Sequence, residues 1–233
     1  MAQTEGFWCP SGIDALHAFL RRGISKDEPS LEFGHAYVRN LGYNLQYLEY
    51  LNHTLEETRL HQTVITMTSK SFVITGVSII ESILWFVLKK AREQRTEEWE
   101  IVQNLKTSTF DEQGVKYRIT NTLLRRRIAL VDIEMPLDAM IKRVESKKLL
   151  GLDTQVYKDL AYLRKLRNRV HIHAVQHEKD TDWWSFSSKE VKLMKRVLES
   201  VLRSKIFDPT VEHEHMLTYL KVSEPTEELA DEF

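Results

Sequence analysis

The chain has a single cysteine, Cys9, so it cannot close an internal disulfide. Its first residues, MAQTEGFWCPSG, lack the basic flank and apolar run of a secretory signal, and a reducing cytoplasm is the expected location. Only eight glycines and five prolines punctuate 233 residues, too few turn formers for a sandwich or barrel of many short strands. Charge of one sign is missing as well: 33 basic and 34 acidic side chains leave a net charge of −1. That balance excludes global attraction to nucleic acid or to a membrane surface, so any such binding has to come from a local patch. No Gly-rich phosphate loop, Walker motif or Ser-His-Asp order occurs. The longest apolar run, Phe72 to Leu88, carries Glu81 at its middle and lies between Lys70 and Lys89. It is short and centrally charged for a membrane span, and a buried helix is expected instead.

What is abundant is Leu, Glu, Lys and Arg, in helical spacing. Ile13, Leu16, Phe19 and Leu20 share one face of a short helix that Gly23 stops. From about Leu31 to Arg59, Val38, Leu41, Leu45, Leu48, Leu51 and Leu55 recur at three- and four-residue steps, with Tyr37, Tyr43, Tyr47 and Tyr50 expected to widen the buried stripe. A second long helix is expected from about Thr63 to Arg95, apolar on nearly every side and central to the core. Between residues 100 and 121, β-branched residues alternate with polar ones around Asp-Glu-Gln-Gly, the pattern of a small inserted hairpin. A helix should resume near Leu123 and reach Leu150, with Pro136 kinking or dividing it and Gly151 ending it. Asp153 then caps a helix striped by Val156, Leu160, Leu163 and Leu166, and Ser187 or Ser188 caps a last one, Lys189 to Lys205, whose Val191, Met194, Leu198 and Val201 face inward. The expected fold is all-α: an antiparallel bundle of four or five long helices with the small hairpin inserted. Residues 1–60 form an N-terminal helical extension in this reading, 61–222 the bundle, and 223–233 an acidic disordered tail.

Chemistry concentrates in one place, Arg167-Asn168-Arg169-Val170-His171-Ile172-His173. A helix turns about 100° per residue, so Arg167 and His171 share a face while the helix lasts, whereas His173 joins them only if the helix unwinds or a second subunit contributes. Arg, Asn and His are the residue types needed to cleave RNA without a metal. A base takes the proton of the 2′-OH, a fixed cation holds the phosphate as charge builds, and a polar group orients either one. Histidine works near neutral pH and arginine grips phosphate in a bidentate fork. The plainer alternative is a solvated helix end, where cations are favoured by the helix dipole.

A helical bundle whose late helix ends in Leu-Arg-Lys-Leu-Arg-Asn followed by a His resembles the HEPN superfamily, many of whose members are endoribonucleases of toxin–antitoxin, abortive-infection and CRISPR systems. Their signature is an Arg, then a polar residue that is commonly Asn, then a His after four to six intervening positions. Arg167, Asn168 and His173 satisfy it with five intervening residues, while His171 falls one position short from Arg167 but stands six intervening positions from Arg164. The resemblance extends from the apolar helix around Ile80 to the helix ending near Lys205. Toxin members often carry a Glu and a Lys-Arg pair just before the motif, where this chain has Asp159 and Lys165-Leu166-Arg167. By the resemblance, Arg167, Asn168, His173 and His171 are the catalytic candidates, and Arg164, Arg169 and Glu81 are substrate-binding candidates. Glu81 is the acidic residue that an earlier helix brings to the site, or else a core carboxylate paired with a neighbouring Arg or Lys. The resemblance also implies a homodimer with two Arg–His pairs at one cleft, products with 2′,3′-cyclic phosphate and 5′-hydroxyl ends, and an antitoxin or defence-system protein as partner. It implies no cofactor and no metal.

Other features compete. His171, His173 and His177 with His213 and His215 are imidazoles that suit a transition metal, but their spacing matches no closed motif. Arg125, Arg126 and Arg127 form a basic run fit for RNA phosphates or for a solvated helix face. Trp183 and Trp184 either stack bases or pack over the end of the bundle. A catalytically inert HEPN-like module that binds RNA, a nucleotide or a protein is the alternative function, because fold does not fix activity.

Overall fold

A computed structural model of the chain describes residues 8–25, 29, 31–170, 178 and 181–222. The expected acidic tail, and with it His171, His173 and His177, lies outside the described residues. The chain divides into two compact units, one made of Met1–Ala91 with Leu137–Phe233, the other of Arg92–Pro136. The second unit contains the segment 100–121 that the sequence marks as an insertion. The protein is mostly helical, with eight α-helices and four strands among the described residues, so the all-α expectation holds only for the larger unit.

In that larger unit, α1 (Ile13–Gly23) and α2 (Gly34–Glu57) lead into α3 (Gln62–Lys90), a helix of 29 residues. After the inserted unit come α4 (Leu137–Ser146), α5 (Thr154–Arg167), the single turn α6 (Asp182–Ser185), α7 (Ser188–Leu202) and the short α8 (Glu214–Leu217). α3 packs against α2, α4, α5, α6 and α7, which is why its apolar residues are not confined to one stripe. Phe72, Val73, Ile80, Ile83, Leu84 and Phe86 are all fully buried, each contributing about 1.5–3 kcal/mol. By length and composition α3 would also serve as a membrane span, yet 61% of its most apolar window is buried inside the protein. Gly76 lets α7 approach: a Cβ there would lie 2.8 Å from the Met194 side chain. Because α1 packs on α2 and α2 on α3, these two helices contribute to the core of the larger unit.

The caps fall where local chemistry puts them. The Asp153 carboxylate accepts from the Gln155 amide at 2.7 Å, and Ser187 with Glu190 forms a reciprocal capping box at the start of α7. Two further expectations fail. Tyr43, Tyr47 and Tyr50 do not widen the buried stripe of α2 but lie exposed, where Tyr50 meets Trp8 and Arg39 stacks over Tyr43. Their hydroxyls favour water, and the buried stripe is filled by Val38 and the leucines, while Tyr37 does reach α3, where its hydroxyl donates to the Ser82 carbonyl.

The second failure is in the inserted unit. Residues 122–132 form no helix; they are β4 (Thr122–Asp132), antiparallel to β1 (Thr96–Asn104). Between them β2 (Ser108–Glu112) pairs with β3 (Val115–Ile119). The Leu105 amide donates to the Asn121 carbonyl at 2.8 Å, joining the two ladders into one ribbon far longer than the hairpin expected at 100–121. The turn at the tip has Gln113 at φ 53° and Gly114 at φ 79°, the two positive values of the primed turn that matches strand twist, and the Asp111 carboxylate accepts from the Gly114 amide. Leu and Arg favour helix, but pairing with β1 overrides that preference. Register sets Glu100 opposite Arg125, and the arginines bind glutamates across the ribbon: Arg125 and Arg127 both reach Glu100, and Arg126 reaches Glu98. A hydrogen bond from Arg125 holds the Glu100 carboxyl below the usual carboxylate range. The basic run is thus neither a helix face nor an unpaired phosphate-binding patch.

Candidate functional site

α5 buries Tyr157, Leu160, Leu163 and Leu166, and this phase turns Arg164 and Arg167, three residues apart, onto its flank. The helix ends at Arg167, and Asn168 to Val170 form one 3₁₀ turn. Asn168 is the C-cap: its amide donates to the carbonyl of Arg164, and the residue is exposed. The α-helical phasing that would set His171 beside Arg167 therefore stops before it reaches the histidine.

Each arginine of the cluster is held by a different element. Arg167 Nη2 donates to Glu81 Oε2 of α3 at 2.9 Å, with 38% of the Arg167 side chain and 25% of Glu81 accessible to water. Arg164 Nη2 lies 3.2 Å from Asp138 Oδ1 of α4, and its buried Nε has no protein partner. Asp138 also takes a hydrogen bond from Lys142, which with Arg164 keeps its carboxyl below the ordinary range. Arg169 Nη1 donates to the Ser185 hydroxyl of α6. Arg164, Arg167 and Arg169 thus tie the end of α5 and its 3₁₀ turn to α4, α3 and α6 in turn. His171 and His173 cannot be placed in this geometry, as they lie outside the described residues.

Around this cluster stand groups that no motif announces. Lys70, almost wholly buried on α3, binds Asp182 of α6 at 2.8 Å, and its ammonium lies over the Phe186 ring. The Tyr162 hydroxyl donates to Glu190 at 3.2 Å. Burial opposes the charge on Glu190, but hydrogen bonds from Ser187 and Tyr162 outweigh it and lower the carboxyl below its usual range. α6 is pinned by Lys70 on one side and by Arg169 on the other. Of its two indoles, Trp183 is half covered, 49% exposed, and Trp184 largely open, 73% exposed.

Two other places are poorer sites. A cleft of about 250 Å³ between α2 and α3 is lined by Tyr37, Asn40, Asn44, Ser78 and Ser82 with Leu41 and Ile79. Its one titratable group, the Tyr37 hydroxyl, donates to the Ser82 carbonyl and is pushed far up by burial, which leaves nothing to exchange protons near neutrality. For metal, no group of three His, Cys, Asp or Glu gathers among the described residues, and the His213 ring is engaged with Thr210. The chain matches no protein-family model, no curated protein and no solved structure.

Proposed function

We propose that the protein is a metal-independent endoribonuclease of the HEPN type, acting in the cytoplasm as a toxin or phage-defence effector. The observation that carries this reading is the position of Arg167: a half-exposed guanidinium at the end of α5, directly before Asn168, anchored by one carboxylate from α3. In this reading a phosphodiester displaces Glu81 from Arg167 and takes the bidentate face of the guanidinium. A histidine of the motif removes the 2′-OH proton, the oxygen attacks phosphorus, and the 5′ oxygen leaves with a proton from a second histidine. In this reading one helix end does not present two acid–base groups to the same phosphate, because His171 and His173 differ by about 200° in helical phase. Two copies of the chain therefore face one another across the Arg167 surface, as in a C2 dimer, and an antitoxin or defence-system protein restrains them.

The test is cleavage of a labelled RNA by the purified chain in excess EDTA. Activity should persist, and the products should carry 2′,3′-cyclic phosphate and 5′-hydroxyl ends. Loss of activity in chelator, restored by zinc or manganese, would instead place the chemistry on a histidine-bound metal.

A second reading, an inert HEPN-like module, draws on a different observation: Arg164, Arg167 and Arg169 all have partners within the fold. Both readings use the exposed indoles of α6, which suit stacking on unpaired bases next to Arg169. Replacing Trp183 and Trp184 together by Ala should weaken binding of a 2′-O-methyl, uncleavable single strand by about tenfold or more. The fold should survive with a drop of several degrees at most in melting temperature, since Trp184 is largely exposed and Trp183 half covered. Unchanged binding would remove the indoles from the interface.

A further inference from the structure

The cleft between α2 and α3 is unsuited to proton transfer, yet its chemistry is that of a recognition site. None of its lining residues is a lysine, arginine, histidine, aspartate or glutamate. A phosphate or carboxylate finds no counter-charge there, so the ligand it suits is neutral. Its volume of about 250 Å³ is below the ~300–1,000 Å³ usual for drug-sized ligands, and it admits one heterocycle rather than a chain. Leu41 and Ile79, both buried, supply apolar surface for the face of a flat ring.

The polar groups of the cleft are engaged unequally. The Ser78 hydroxyl donates to the Ile74 carbonyl, the Ser82 hydroxyl donates to that of Tyr37, and the Asn44 side-chain amide donates to the Asn40 carbonyl. The side-chain amide of Asn40 has no partner among the described residues. It presents a donor and an acceptor side by side.

We propose that this cleft is a base-recognition site in which the Asn40 amide reads the edge of an adenine. Side-chain chemistry selects the base. Guanine is read in bidentate fashion by arginine or lysine and the cytosine amine by a carboxylate, whereas asparagine pairs with the N6 amine and N7 of adenine. Of these readers the cleft holds only asparagine. The Asn40 oxygen accepts from N6, and its nitrogen donates to N7.

The cleft also lies beside the phosphate ligand of the proposed nuclease. Ser78 and Glu81 are three residues apart on α3, so their Cβ atoms stand about 5–6 Å from one another, and Ser82 follows Glu81 directly. Helical phase sets Glu81 about 60° to one side of the exposed Ser78, where α5 brings Arg167, and Ser82 about 40° to the other, where Tyr37 of α2 lies. An adenine seated in the cleft therefore directs its adjoining phosphodiester towards Arg167, and the cleft selects the strand that Arg167 holds. This last step rests on the nuclease reading. The preference of the cleft for adenine does not.

Free nucleosides separate the two. Titration of the full chain, followed by ligand-detected NMR, should show adenosine binding with a Kd of about 0.1–1 mM and about fivefold or more ahead of guanosine, cytidine and uridine. Asn40→Ala, at an exposed position, should keep the melting temperature and weaken adenosine about tenfold. Asn40→Asp should weaken it as far, because a carboxylate meets N7 with a second acceptor. Arg167→Ala should bind adenosine as the wild type does, since the nucleoside carries no phosphate. An uncleavable 2′-O-methyl strand with one adenine among uridines should bind Asn40→Ala more weakly by the same factor, while an all-uridine strand binds both proteins alike. Adenosine that binds no better than the other nucleosides overturns the proposal, and so does an Asn40→Ala variant that binds it like the wild type. If adenosine needs Asn40 but the strands are indifferent to it, the cleft takes a free nucleoside and its place on the path to Arg167 is wrong. A chain that cleaves no RNA would sink the nuclease reading and leave the adenosine result standing.

Discussion

On the proposed nuclease reading, replacing Arg167 by Ala should lower RNA cleavage by about 10²–10³, and replacing the histidine that serves as its base should lower it by about 10²–10⁴. The arginine term is lost stabilisation of charge on the transferring phosphate, and the histidine term is lost proton transfer. His173→Ala is expected to be the dead variant, since His173 has the family spacing from Arg167 and α5 ends before it can align His171 by helical phase. A normal His173→Ala with an inactive His171→Ala would reverse that assignment and leave the enzyme intact. Arg167→Lys should fall between wild type and Ala, because lysine keeps the charge and loses the fork. The structural cost is separable from the catalytic one. Glu81 is a quarter exposed, so water can solvate the carboxylate that Arg167→Ala leaves behind, and the melting temperature should move by no more than a few degrees. Full activity in the Arg167, His171 and His173 variants with unchanged melting would reduce the cluster to a solvated helix end. Unfolding of all three would make it structural and favour the inert module.

The parts of the fold legible in the sequence were those where one signal agreed with itself at several levels. α5 and α7 combine a three-and-four spacing of leucines, valines and methionine with Asp153 and Ser187 as caps, and both begin where those caps stand. α3 was legible from apolarity on every side, which only an element surrounded by helices can bury. β4 was not, because Leu-Leu-Arg-Arg-Arg-Ile-Ala-Leu is helix-favouring composition and its strand state comes from glutamates 25 or more residues earlier. Tyr43, Tyr47 and Tyr50 of α2 obey the helical period yet fall outside the stripe, since period assigns an angle and cannot say where a partner helix ends. For the site, Glu81 and Arg167 could be nominated as partners from a charged residue in an apolar helix and a motif arginine. Ser185, Asp138 and the Lys70–Asp182 pair carry no local signature, because they matter only once α4 and α6 have closed around α5.

The Lys70–Asp182 pair sets the largest expected stability effect. Asp182→Ala should destabilise the protein by about 2–3 kcal/mol and lower its melting temperature by roughly 4–12 °C. The Lys70 side chain is 9% exposed, so removing its carboxylate leaves a buried ammonium beside the Phe186 ring without the counter-charge it has here. The range lies at or below the loss usual for a fully buried pair because the Asp182 side chain is 34% exposed and the vacated position admits water. Lys70→Met should be near neutral, since it removes the charge together with its desolvation penalty and fills the same space among α3 neighbours. The double variant should then lie well above Asp182→Ala, and the coupling read from the four proteins measures the pair itself. The same substitution reaches the candidate site. Asp182 opens α6, and its bond to Lys70 is the tie between α3 and the turn that presents Trp183 and Trp184. Below its lowered melting temperature, Asp182→Ala should therefore bind an uncleavable single strand several-fold more weakly, while Lys70→Met, which also cuts the tie, should share that loss without the instability. A cost for Asp182→Ala below about 0.5 kcal/mol would mean that the lysine finds water as readily as the carboxylate. An undiminished affinity in both variants would show that α6 is held in place by Arg169 and Phe186 alone.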